Sequence, residues 1–281
     1  MGTNAIRRPI TYADHRAKVM RTICQHMSRR AWWPVAHATR LPTSDDLYDT
    51  FKAVGLPHCR VTPRMRTEYG RGIRAIIPSW ESDHLQIRQV PGASSWLGIH
   101  NPSWCDYAEP FTRYYLNCTL AHVPELIERL VEAIMHAGIG CFIKIPEPAA
   151  AARFSGKPMC VLLATTTEAE RTTGVMLRGV SQAKSHIFFR DPAPAFTRGL
   201  TVRGDHLIGV YAAEQPALVD NQPISFHRFV AEHIAAALQA LPALHWRAPD
   251  EQIGAFARTA LALAERNMYD AGYDITTARR R

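Results

Sequence analysis

Between residues 11 and 30 the apolar side chains Val19, Ile23 and Met27 recur at four-residue spacing, which predicts an amphipathic helix stopped by Trp32, Trp33 and Pro34. Residues 57–90 are punctuated by Pro63, Gly70, Gly72 and Pro78, and their apolar runs 73–77 and 85–90 predict strands of a small antiparallel sheet. A loop rich in Trp, Pro and Gly follows over 91–110. Within it Trp96, His100, Asn101 and Trp104 read either as a ligand-facing set or as side chains pinned by packing.

From Phe111 the period is two: Phe111, Arg113, Tyr115 and Asn117 alternate with Thr112, Tyr114, Leu116 and Cys118, as along a strand with one apolar and one polar face. Pro124 then opens a helix whose stripe is Leu126, Ile127, Leu130, Val131, Ile134 and Met135, ended by Gly138. Residues 139–145 are again a strand, so 111–145 reads as a β-α-β unit. Residues 159–164 predict a buried strand, 168–184 a helix weakened by Gly174 and Gly179, and 187–189 and 207–211 short strands. Residues 225–240 predict a helix with Ser225 as N-cap and Phe229, His233, Ala236 and Ala237 on its inner face. A last helix spans 251–269.

These elements predict an α+β (mixed α/β) fold, a mixed or antiparallel central sheet flanked by helices in a two-lobed single body. The lobes are expected at 1–110 and 111–281. With 47% hydrophobic and 21% charged residues among 281, the chain has the apolar surface for a substantial core. No apolar run approaches the roughly 18 residues that span a bilayer, and no hydrophobic stretch follows Arg7 and Arg8, so a cytoplasmic protein without membrane association is expected. The six cysteines show no CxxC or zinc-finger spacing and read as reduced, mostly buried thiols.

Charge narrows the partners. Lys and Arg exceed Asp and Glu by 33 to 25, a net +8 that favours anions, whether nucleic acid, a membrane surface or a phosphorylated peptide. Lys144 interrupts the apolar strand Cys141-Phe142-Ile143-Lys144-Ile145 and reads either as an edge-strand lysine facing water or as a lysine in a cleft. Arg198 ends the Pro194-Ala195-Phe196-Thr197-Arg198 segment just after Arg190-Asp191, where a rigid loop can present a guanidinium fork to phosphate or carboxylate. His227 and Arg228 follow Ser225 at a helix start, where free N–H groups favour anions. Arg153 and Lys157 lie in a short loop before the 159–164 strand, where two cations suit an anion or water equally. No nucleophile elbow, phosphate-binding loop, HExxH or dinucleotide fingerprint is present, and no metal, nucleotide or other cofactor is assigned.

In their order, Tyr114-Tyr115, Cys141-Phe142-Ile143-Lys144, residues 159–163, Pro194-Ala195-Phe196-Thr197-Arg198, Ala213-Glu214-Gln215-Pro216 and Ser225-Phe226-His227-Arg228 resemble the HopA-type type III effector family. The resemblance covers roughly residues 111–238. Its one departure is that Ser225-Phe226 runs into His227-Arg228 without the family's intervening glycine. Members of that family in class V lanthipeptide and thioamitide pathways resemble lyases acting after a kinase-like protein. The resemblance therefore implies a phosphoserine/phosphothreonine lyase that eliminates phosphate from a precursor peptide, leaving dehydroalanine or dehydrobutyrine.

Such an elimination needs a base for the Cα proton, cations for the phosphate and an acid for the departing oxygen. In that scheme Lys144 is the base, His227 the acid, Arg198 and Arg228 the phosphate grip, and Arg153 and Lys157 outer cations, with no metal. The partners implied are the phosphorylated precursor peptide and, with it, kinase-like and cyclase proteins. The alternatives are a non-catalytic phosphopeptide or partner-protein binding module, using the same arginines, and a nucleic-acid binder, for which no reading motif is present.

Overall fold

The structure is a computed structural model that describes residues 12–28, 41–51, 59–80, 85–90, 95–101, 110–157, 159–189, 194, 196–215, 225–244 and 248–281. Trp32, Trp33, Pro34, Trp104, Arg190 and Asp191, singled out above, lie outside these residues. In chain order the elements are α1 (Tyr12–Ser28), α2 (Ser44–Phe51), α3 (Pro63–Trp80), β1 (Gln86–Gln89), β2 (Trp96–His100), β3 (Phe111–Asn117), α4 (Val123–Ala137), β4 (Cys141–Pro146), β5 (Met159–Thr166), α5 (Glu170–Ala183), β6 (Arg198–Val202), β7 (Asp205–Glu214), α6 (Phe226–Ala240), α7 (Asp250–Asp270), β8 (Tyr273–Asp274) and β9 (Arg279–Arg280). The expected α+β class is what is found.

The chain divides otherwise than at residue 110. One compact unit joins residues 1–51, 195–199 and 225–281, and the other joins 52–194 and 200–224. A boundary at 110 would separate β1 and β2 from the sheet to which they belong.

The first unit is mainly helical. Val19, Ile23 and Met27 of α1 are buried as their spacing predicts, with Leu47 and Phe51 of α2, Val230, Ile234 and Leu238 of α6, and Ala257, Ala260 and Ala264 of α7. Arg16 binds Glu265 at 2.7 Å, tying α1 to α7. Ser225 caps α6 as expected, accepting from the Arg228 N–H at 3.2 Å. On α6, however, Ala236 is exposed and His233 only partly buried, and Ile234 and Leu238 take the inner positions.

The second unit is built on an antiparallel sheet in the order β1-β2-β4-β5-β3-β7-β6. Both β3 and β4 run antiparallel to β5, so they are parallel to each other with β5 between them. The expected β-α-β unit is therefore a split one. Helix α4 follows its prediction closely, from Pro124 to the left-handed Gly138 (φ 63°), which donates to Ile134 O at 2.9 Å. Of its stripe only Met135 is exposed.

The expected strand at 73–77 is instead part of α3, whose Tyr69, Ile73 and Ile76 are buried at helical spacing. The glycines there do not break the helix but let it approach its neighbours. A Cβ on Gly72 would stand 3.0 and 3.2 Å from Cγ and Cβ of Pro124 at the start of α4. At Ile187-Phe188 only an isolated bridge from Cys118 to Phe188 forms, in place of a strand.

Residues directly paired across an antiparallel ladder share a face. One face carries Ile99, Tyr114, Leu116, Ile143, Ile145, Val161, Leu163, Val210 and Ala212, and α3, α4 and α5 all pack on it to form one core. The other face has a different character.

Candidate functional site

Two cross-strand rows define the face opposite that core. The first runs Arg88, Gly98, Lys144, Leu162, Tyr115, Tyr211 across β1, β2, β4, β5, β3 and β7. The second, next to it, runs Gln86, His100, Phe142, Ala164, Arg113, Ala213. Neither row contains an Asp or Glu. Arg113 is 7% exposed, Tyr115 3%, Tyr211 8% and His100 9%.

Lys144 is thus on an interior strand, with β2 on one side and β5 on the other, which removes the edge-strand reading. Opposite it on β2 stands Gly98, and the Phe142 ring lies over that glycine. A Cβ at position 98 would stand 2.7 and 2.9 Å from two atoms of the ring. Phe142 therefore covers the space beside Lys144, whose Nζ is 5.4 Å from the ring centroid. Burial, with the Arg113 guanidinium as a second cause, lowers the Lys144 pKa from 10.5 to about 7. The ring contact favours the ammonium by only about 0.5–1 kcal/mol, less than one pKa unit, so it does not reverse the shift.

Gly98→Ala is expected to cost about 1–3 kcal/mol, because the added methyl displaces a packed ring on an interior ladder. Urea unfolding checks the loss, and an unchanged midpoint would show that Phe142 does not depend on the glycine.

In the sequence Arg113 is simply one polar position of an alternating strand and does not stand out as a site residue. Its sequence signal is a cation between Phe111 and Tyr115 on one face of a strand. The guanidinium lies 5.7 Å from the Phe111 ring centroid, and no hydrogen bond or ion pair to it forms among the described residues.

The other expected residues are distributed over both units. In the second unit, Arg153 lies in the last turn of a short 3-10 helix, Pro148–Phe154, and Lys157 lies just beyond its end. Arg153 donates to Ser95 Oγ at 2.9 Å, and Lys157 Nζ stands 5.7 Å from the Phe154 ring. Trp96, read as either ligand-facing or pinned by packing, packs edge-on against Phe154 at 4.8 Å. Asn101 extends the ladder instead, donating to Ile139 O at 2.7 Å and accepting from Cys141 N at 3.2 Å.

In the first unit, Arg198 is partly buried after a turn in which Phe196 takes a left-handed φ of 54°. Such a conformation costs a non-glycine residue about 1–2 kcal/mol. The Phe196 ring is held at 5.5 Å from Phe51 and 6.0 Å from Tyr12. Arg228, expected to grip phosphate, is committed to two carboxylates: it pairs with Asp45 of α2 and donates to Glu232 at 3.1 Å, and these partners raise its pKa. A phosphate would meet net negative charge there. His227, expected as the acid, is 7% exposed and packed against the rings of Phe226 (5.5 Å) and Phe51 (6.2 Å).

Among the described residues no group of His, Cys, Asp and Glu is placed to hold a metal ion, and no helix is long and apolar enough to cross a membrane.

The arrangement is that of an α+β protein whose antiparallel sheet bears a core on one face and a cationic surface on the other. The same fold occurs in two bacterial effector proteins of known structure. The effector protein from Pseudomonas syringae pv. syringae strain 61 aligns with a TM-score of 0.59 and 14% identity over 96% of this chain and 98% of its own. The effector protein from Pseudomonas syringae pv. tomato strain DC3000 aligns with a TM-score of 0.59 and 12% identity over 94% of this chain and 99% of its own. No protein-family model and no curated protein matches the sequence.

Proposed function

We propose that this protein is a phosphoserine/phosphothreonine lyase acting on a phosphorylated precursor peptide of lanthipeptide-type biosynthesis. The observation that supports the reading best is Lys144, a lysine on an interior strand, beside a second cation and with no carboxylate in either row of its face. A lysine that is neutral near pH 7 can take a proton from carbon, whereas an ordinary surface lysine is protonated there.

In the proposed reaction the Lys144 amine takes the Cα proton, and the Cα–H electrons form the Cα–Cβ double bond. The Cβ–O bond breaks and its electron pair leaves with the phosphate. A phosphate ester that enters as the dianion needs one proton to leave as HPO₄²⁻, and the Lys144 ammonium, which has just taken the Cα proton, supplies it, so this scheme asks nothing of His227.

Incubated with phosphorylated precursor peptide, chelator and the kinase-like and cyclase proteins of the pathway, the protein is expected to give a dehydrated peptide and free phosphate. Intact mass separates the outcomes. Regenerated hydroxyl would indicate a phosphatase. Tight phosphopeptide binding with no change of mass would favour a non-catalytic binding module and remove the role assigned to Lys144.

A further inference from the structure

We propose that Arg113 is the anchor of an oxyanion subsite on the cationic face of the sheet, and that its ligand is the phosphoryl group of the peptide substrate. The inference rests on the lyase reading only in naming that phosphoryl group; the subsite itself follows from the sheet.

Arg113 occupies β3 and is 7% exposed. An arginine brings five N–H donors in a planar fork, and burial of that charge is unfavourable unless something accepts from it. Among the described residues nothing does, and its guanidinium lies by the Phe111 ring and acts on Lys144. Arg88, His100, Lys144, Tyr115 and Tyr211 are the other titratable or charged groups of the two rows, and none is acidic. Among the described residues, then, no carboxylate neutralises this face.

Between Arg113 and Lys144 lies β5, with Ala164 paired to Arg113 and Leu162 paired to Lys144. Two strand spacings and one row put their Cα atoms on the order of 10–12 Å apart. Two long cationic side chains rooted at that separation can both reach one tetrahedral oxyanion held between their ends. A phosphoryl dianion can accept two parallel N–H bonds from the Arg113 fork. It also offsets the repulsion that Arg113 exerts on Lys144. A surface arginine without a partner is solvated by water, whereas Arg113 is buried as well.

Inorganic phosphate titrated into the full-length protein at pH 8, followed by calorimetry and by the rise in thermal midpoint, tests the subsite without turnover. The expected result is saturable binding that Arg113→Met weakens at least tenfold, with Arg113→Lys intermediate because charge is kept and the fork is lost. Phosphate affinity unchanged in Arg113→Met would overturn the subsite. A crystal structure of the wild-type chain grown with phosphate is the second measurement and does not depend on any variant folding. An anion on the Arg113 guanidinium supports the proposal, and an anion found only elsewhere overturns it. The pH profile gives a further readout: in Arg113→Met the rise of kcat/KM with pH should move upward from about 7, because the neighbouring charge has gone. Failure of the lyase reading is separable, since it shows as wild-type protein that binds phosphate yet leaves the phosphopeptide mass unchanged.

Discussion

Lys144→Ala is expected to slow dehydration of a phosphorylated precursor peptide by about 10²–10⁴-fold, the usual contribution of a positioned base. Phosphopeptide affinity at pH 8 should stay within about threefold, because proton abstraction is confined to the transition state and at that pH the amine carries little charge. The wild-type rate should rise with pH through about 7 and then level, following loss of the Lys144 proton. Lys144→Arg should be as inactive as the alanine variant, since a guanidinium keeps its proton. Mass spectrometry of the peptide against time checks all of these. A variant at position 144 that dehydrates at the wild-type rate would remove this residue from the chemistry.

Lys144→Met is expected to make the protein more stable while disabling it. In the folded chain the lysine titrates near 7, and in the unfolded chain near its ordinary 10.5. Below pH 7 it is charged in both states and the fold bears the full cost of holding a half-buried ammonium beside Arg113. Between about 7 and 10.5 the unfolded chain binds a proton that the folded chain does not, so wild-type stability from this group rises with pH. Methionine has similar length and no charge, and apolar replacement of buried ion pairs ranges from neutral to stabilising by about 1–4 kcal/mol, with no partner carboxylate here to be left unpaired. The variant should therefore exceed the wild type most at pH 6, with the gap closing as pH approaches 10. Urea unfolding at several pH values reads this directly. A constant gap would mean that Lys144 has an ordinary pKa, and the argument for it as a base would fall with it.

These two effects together describe a residue kept at a cost to the fold. Structural lysines on sheets normally lie on an edge or pair with a carboxylate, whereas Lys144 is half-buried between β2 and β5, with a phenylalanine ring over the facing glycine and no carboxylate in its row. Selection for activity is the common reason for such local conflict.

Much of the architecture is written in local sequence. Helix α4 is set by Pro124, a stripe at helical spacing and Gly138, and α6 by the Ser225 cap, because caps and 3.6-residue periodicity involve neighbours a few positions apart. The alternation from Phe111 to Asn117 likewise specifies a strand. Residues 73–77 went the other way. There Gly70, Gly72 and Pro78 look like breaks, yet the helix runs through them, since its close contact with Pro124, more than fifty residues away in sequence, favours a glycine. The sequence also marked Lys144 as a charge in an apolar strand. Only tertiary structure decided that its strand is interior, that Gly98 and Phe142 stand beside it, and that Arg113 shares its face. Strand order and register bring together residues 98, 113, 144 and 164, and no local pattern encodes pairings across that separation. The same long-range packing gave Arg228 to Asp45 and His227 to Phe51, partners that lie more than 170 residues away along the chain.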